Sequence, residues 1–163
     1  MKRQMTPGET LREFCRTWFV QRDAERTLAF LTEDVGFVGT GTDEMASGRQ
    51  QMAGYLAQDI REIPEPFECD LSPIYEQPVA DGIYNMSADL TLKNSKYTWY
   101  LRAFFTLVLS GEEWLVKSFH VAEPASSQKD AEHYPGTLVM EHTSRLRQEL
   151  LNDSLPGGMM GGY

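Results

Sequence analysis

The sequence predicts an α+β domain in which three N-terminal helices pack onto a long, strongly bent antiparallel sheet. Three observations carry this. Apolar residues recur at helical spacing as far as Ile63, the pattern turns extended from Pro66, and four apolar-rich runs then follow with turn sequences between them. A chain of 163 residues is long enough to bury one sizeable core.

The first helix opens at Thr6-Pro7-Gly8-Glu9, the pattern of a capping box with proline preset at the first helical position. Leu11, Phe14, Cys15, Trp18 and Phe19 then form one apolar stripe. Asp23 caps a short second helix whose apolar residues are Leu28, Phe30 and Leu31. Val35 to Gly39 is a short extended piece, followed by a polar loop from Thr40 to Glu44. Ser47 and Gln50 form a second capping-box pattern, and Met52, Leu56, Ile60 and Ile63 give the third helix its buried face.

The extended runs are Phe67 to Val79, Ile83 to Leu92, Tyr97 to Leu109 and Trp114 to Val121. Asp81-Gly82, Asn94-Ser95 and Ser110-Gly111 separate them, and links this short force consecutive strands to run antiparallel. Strands this long coil as they twist, and Pro73 and Pro78 bend the first of them further. After Pro124 the chain becomes polar. A helix is expected from Thr137, but Val139, Leu146 and Leu150 make too thin a stripe for a monomer's core helix, which fits a two-helix seam or a solvated linker.

A net charge of −9 argues against nucleic acid and against an anionic membrane surface, both of which need clustered Lys and Arg. No apolar run reaches the roughly 20 residues that span a bilayer, and the basic pair Lys2-Arg3 has no apolar stretch behind it, so no secretory signal is read. Cys15 and Cys69 lie in apolar patterns without metal-type spacing and read as reduced core thiols, with a disulfide or redox pair as the alternative; a cytoplasmic protein is expected. No metal or cofactor is expected. Gly39-Thr-Gly41 lacks the third glycine of a dinucleotide loop, and Glu132-His133 and Glu141-His142 lack a second zinc ligand one turn on.

Three helices, a short strand after the second and a four-strand meander together resemble the nuclear transport factor 2-like, or SnoaL-like, superfamily. The segment Leu31-Thr-Glu-Asp34-Val35-Gly-Phe-Val38-Gly39-Thr-Gly-Thr-Asp43-Glu44 resembles the helix end and loop of SnoaL-like domains, and Trp114-Leu-Val-Lys-Ser-Phe-His120-Val resembles their closing strand. The resemblance covers residues 7 to about 123 and implies a cystatin-like cone with one pocket, and dimers. Leu150-Leu-Asn-Asp-Ser-Leu155-Pro-Gly-Gly-Met159 resembles the start of a PAS domain of a bacterial signalling protein. The expected organisation is a SnoaL-like domain over residues 1–124, a connector and signalling helix over 125–152, and the beginning of a PAS-like domain over 153–163.

Seven residues are candidates for a ligand site. Trp18, Phe37, Tyr55, Trp99 and Tyr100 are aromatics that either line a pocket or form plain core or dimer surface. Arg102, mid-strand among aromatics, expects a carboxylate, from an acidic ligand or from the protein itself. Strict alternation puts His120 on one face with Trp114, Val116 and Ser118, and the resemblance turns that face into the cone, where an imidazole can move a proton or simply bond a neighbour. Asp34, Asp43 and Glu44 read as cap and surface groups, so the acid-in-a-cavity pattern of ketosteroid isomerases is not supported.

The leading expectation is a sensory or regulatory module that binds a small acidic or aromatic ligand, dimerises through its sheet and signals along its C-terminal helix. The runner-up is a proton-transfer isomerase, cyclase or hydratase with His120 as general base and Arg102 or Tyr100 as oxyanion partner. A dimerisation scaffold with a filled cone is the third.

Overall fold

The computed structural model describes residues 3–124. Helix α1 (Pro7–Cys15) runs straight into a π-helical turn (Arg16–Val20), followed by α2 (Ala24–Leu28), β1 (Leu31–Val38), β2 (Met45–Ser47) and α3 (Arg49–Glu62). Four long strands complete it: β3 (Glu68–Ala80), β4 (Ile83–Lys93), β5 (Thr98–Ser110) and β6 (Glu113–Ala122). The expected connector, signalling helix and PAS-like segment lie outside the described residues.

Local chemistry explains most of these boundaries. Thr6 Oγ1 accepts from the Glu9 N–H at 3.1 Å while Glu9 returns a carboxylate oxygen to the Thr6 N–H at 2.8 Å, the reciprocal pair expected from the sequence. These bonds, with Arg3 alongside, hold the Glu9 carboxyl below the usual carboxylate range. The apolar stripe of α1 is buried from Leu11 through Phe19, and the π-helical turn keeps Trp18 and Phe19 on the same side as Phe14.

Three details differ from the expected pattern. Leu31 belongs to β1 rather than to the second helix, because it pairs with Val116 across the sheet. The three residues of β2, too short to read from the sequence, pair with the end of β1. The cap of α3 is Gly48 at φ +85°, not Ser47, whose N–H instead donates to Gln51 Oε1 at 2.9 Å. A glycine is needed at Gly48 because that backbone conformation lies in the left-handed region.

The sheet order is β2-β1-β6-β5-β4-β3. The meander is antiparallel throughout, as its short turns require, but β1 runs parallel to β6, so the sheet is mixed. Turn length constrains only neighbours in sequence, and β1 meets β6 from far along the chain. Register shifts at Leu71/Ile74, at Thr106/Leu107 and at Leu31/Gly36 mark irregular points where the sheet bends. Strand β4 alternates most regularly, with Met86, Ala88, Leu90 and Leu92 buried. The helices cover this inner face. Phe14 sits at the centre of the contact, edge-on to Trp18, Phe30, Phe105 and Phe119. Cys15 and Cys69 are free thiols; burial pushes the Cys69 thiol up to about 11, and fully buried Cys15 is raised as well. No helix among the described residues is long and apolar enough to cross a membrane.

Candidate functional site

A cavity of about 330 Å³ opens between α3, the π-helical turn and the inner face of the sheet. Its wall is aromatic: Trp18 and Phe19 from the turn, Phe37 from β1, Tyr55 from α3, Tyr97 just before β5, Trp99 within it, and Phe119 from β6. Leu90, Leu92, Leu101 and Val121 fill the gaps between these rings. The rings touch one another, with Phe37 4.7 Å from Tyr55, 5.2 Å from Phe119 and 6.0 Å from Trp18, and Trp99 5.1 Å from Tyr97, centroid to centroid.

Four carboxylates also reach the cavity: Glu44, Asp59, Glu62 and Glu123. Tyr55, Asp59 and Glu62 are spaced i, i+4, i+7, so one face of α3 presents all three. Asp59 Oδ2 accepts from Trp18 Nε1 and from Arg22 Nη2, both at 2.9 Å. The same guanidinium donates to the carbonyls of Asp59 and Ile63 at 3.2 and 2.9 Å, closing the C-terminal end of α3, and lies 5.5 Å from the centroid of the Phe67 ring. Arg22 carries a positive φ of 53°, in the region few non-glycine residues occupy, held there by this network. Burial first, then the charges of Glu44 and Asp59, raise the Tyr55 phenol, which stays a protonated donor.

Glu44 folds back over its own loop, accepting from the N–H groups of Thr40 at 3.0 Å and Gly41 at 3.2 Å. A side chain at Gly39 would begin 2.7 Å from Glu44 Cβ and closer still to its carboxylate. Gly39→Ala is therefore expected to push the loop off the rim of the cavity at a cost of about 1–3 kcal/mol, read as a lowered chemical-denaturation midpoint. A midpoint within error of the wild type would show that the loop does not need this close approach.

Of the seven candidates read from the sequence, Trp18, Phe37, Tyr55 and Trp99 come together in this cavity. Tyr100, Arg102 and His120 do not; all three are exposed on the opposite face of the sheet. Arg102 is 3.6 Å from Asp89, directly across on β4, which matches the reading of a bridge to the protein's own acid. His120 fails the alternation argument for a definite reason. Thr106 pairs with Ser118 and Leu107 with Val116, so Lys117 is an extra residue that inverts the faces of β6. Trp114 and Val116 face inward before it; after it the inward residues are Phe119 and Val121, and His120 is left outside beside Phe104. There it helps line a second concavity of about 530 Å³ with Tyr75, Gln77, Asn85 and Thr106.

Asp34 is exposed and bonded to Lys117 at 2.6 Å and to Thr32, contacts that lower its pKa. Sequence reasoning overlooked Asp59, Glu62, Glu123, Tyr97, Phe119 and Arg22. The helical spacing from Tyr55 would have found the first two.

The profile of the SnoaL-like domain matches residues 9–126. Among solved structures, a candidate scytalone dehydratase from Novosphingobium aromaticivorans superimposes with a TM-score of 0.63 at 16% identity, over 72% of this chain and 81% of that one. A protein with a cystatin-like fold from Caulobacter vibrioides gives 0.63 at 13% identity, over 77% and 94%. A candidate calcium/calmodulin-dependent protein kinase type II association domain from Thiobacillus denitrificans gives 0.63 at 13% identity, over 77% and 100%. At such identities the likeness is one of fold. No curated protein matches the sequence.

Proposed function

The chain belongs to the SnoaL-like domain family, and from that premise we propose that it is a non-catalytic module that binds a small aromatic molecule in its inner cavity within a signalling protein. The observation that carries this reading is the cavity itself: about 330 Å³, walled by contacting aromatic rings, with polar groups converging from α3, from the loop after β1 and from the chain just beyond β6. A volume in that range suits a compact organic ligand. A filled scaffold would lack it.

The catalytic alternative with His120 as general base loses support from geometry, since the imidazole stands on the other face of the sheet from the cavity. Of the four cavity acids, Asp59 is engaged by Arg22 and Trp18, Glu44 by two backbone N–H groups and Glu62 by Gln58, and Glu62 and Glu123 stand exposed at the rim. A general base has to be free to accept the substrate's proton. The signalling part of the proposal is supported by the thin apolar stripe after Thr137 and by the PAS-like run from Leu150 to Met159.

The outer sheet face supports pairing with a second copy. Tyr75, Tyr100 and Phe104 are respectively 65%, 66% and 48% exposed there, an aromatic patch of the kind that marks interaction surfaces.

A thermal-shift panel of small aromatic metabolites tests the site, because a ligand at 100 times its dissociation constant adds about 2.7 kcal/mol. For any hit, Trp99→Ala is expected to weaken binding tenfold or more, while His120→Ala leaves it within about twofold, a difference of over ~1 kcal/mol. The reverse pattern would move the site to the outer face.

A further inference from the structure

We propose that the inner cavity selects organic cations: an ammonium group carried on a flat, apolar body. This deepens the ligand-binding reading above and rests on it.

The argument begins with the charge of the lining. Glu44 comes from the loop after β1, Asp59 and Glu62 from α3, and Glu123 from the chain just beyond β6. These acids are far apart in sequence, and the fold alone brings them to one opening. Among the described residues no Lys, Arg or His lines the cavity. The nearest guanidinium, Arg22, has a side chain only 5% exposed and is committed to Asp59 and to backbone carbonyls. It offsets one negative charge and presents none of its own, which leaves an excess of three.

The walls add to this selection. Trp18, Phe37 and Tyr55 form one group of contacting rings on the cavity wall, and Tyr97 and Trp99 form a second. Ring faces carry negative potential and attract ammonium groups, most strongly where water is excluded. A cleft of one sign of charge between low-dielectric walls focuses its field and draws the oppositely charged ligand. An acidic ligand meets both effects with the wrong sign. Selection here comes as much from rejecting anions as from attracting cations.

Three probes with one ring system and different charge test the proposal: tryptamine, indole-3-ethanol and indole-3-propionate, titrated calorimetrically at pH 7. At that pH the amine is protonated and the carboxylate ionised. Tryptamine is expected to bind at least tenfold tighter than indole-3-ethanol in low salt, and indole-3-propionate weakest. The advantage should shrink severalfold as ionic strength approaches 1 M, where charges are screened beyond about 3 Å. In the exposed-rim double variant Glu62→Gln/Glu123→Gln, tryptamine should lose most of its advantage over the neutral alcohol, with wild-type melting as the folding control. Equal affinities for amine and alcohol, or tighter binding of the propionate, would overturn the charge selection and leave the pocket standing. Failure of tryptamine while another aromatic of the panel binds would do the same. Silence from every compound overturns both readings.

Discussion

Phe14→Ala is expected to lower the melting temperature of the domain by about 10–20 °C. The side chain is fully buried and is the point at which helix, sheet and closing strand meet. Its ring lies 5.9–6.4 Å, edge-on, from four others, contributed by the π-helical turn, the segment before β1, and strands β5 and β6. Removing it takes away the apolar contact and leaves a cavity that rigid neighbours cannot close. Phe→Ala in such a place costs about 3–5 kcal/mol, and a domain of this size moves by roughly 2–8 °C for each kcal/mol. Stabilities of about 5–15 kcal/mol make this a large fraction of the whole. Phe14→Leu, which keeps most of the volume, should lose less than half as much. Circular dichroism melts distinguish the two, and a shift below about 3 °C for the alanine variant would show that α1 is not seated on the sheet as described.

Asp59→Ala should be comparably severe, by a different route. It strands the buried Arg22 guanidinium, whose Nε already has no partner among the described residues, and leaves the Trp18 N–H unsatisfied. Breaking one side of such a pair costs about 3–5 kcal/mol, most of it from the unpaired charge left behind. The same pair replaced on both sides, Arg22→Met with Asp59→Leu, should therefore be less damaging than Asp59→Ala alone. A double-mutant cycle by urea denaturation measures this. If the double variant proves the worse of the two, the dominant role of Arg22 is to hold the carbonyls of Asp59 and Ile63 rather than to compensate Asp59.

How far the sequence revealed this molecule depended on the range of the interaction involved. The capping box at Thr6 and the four strands of the meander were legible because each is set by residues a few positions apart. Leu31 looked helical by spacing and became a strand residue because of Val116, which no local pattern encodes. The parallel pairing of β1 with β6 has the same origin. For the site, the candidate aromatics Trp18, Phe37, Tyr55 and Trp99 do line the cavity, but Tyr100 was taken with them although it faces the other way. His120 was misplaced by one residue, Lys117, since a bulge reverses every face after it and leaves no mark in composition. The rim of carboxylates was only partly legible: helical spacing from Tyr55 reaches Asp59 and Glu62, but Glu44 and Glu123 become their neighbours only after the chain has folded.

The two margins of the sheet carry a consequence for how this protein tolerates crowding. One margin is β2, only three residues long, and the other is β3, thirteen residues interrupted by Pro73 and Pro78. A proline offers no N–H to an incoming strand, and a stub of three residues offers too short a template. Arg12 also ties the Leu71 carbonyl of β3 back to α1 at 2.9 Å. Growth by adding strands end upon end, the route to fibrils, is blocked at both sides. An edge-to-edge encounter between two copies therefore does not seed an endless ribbon.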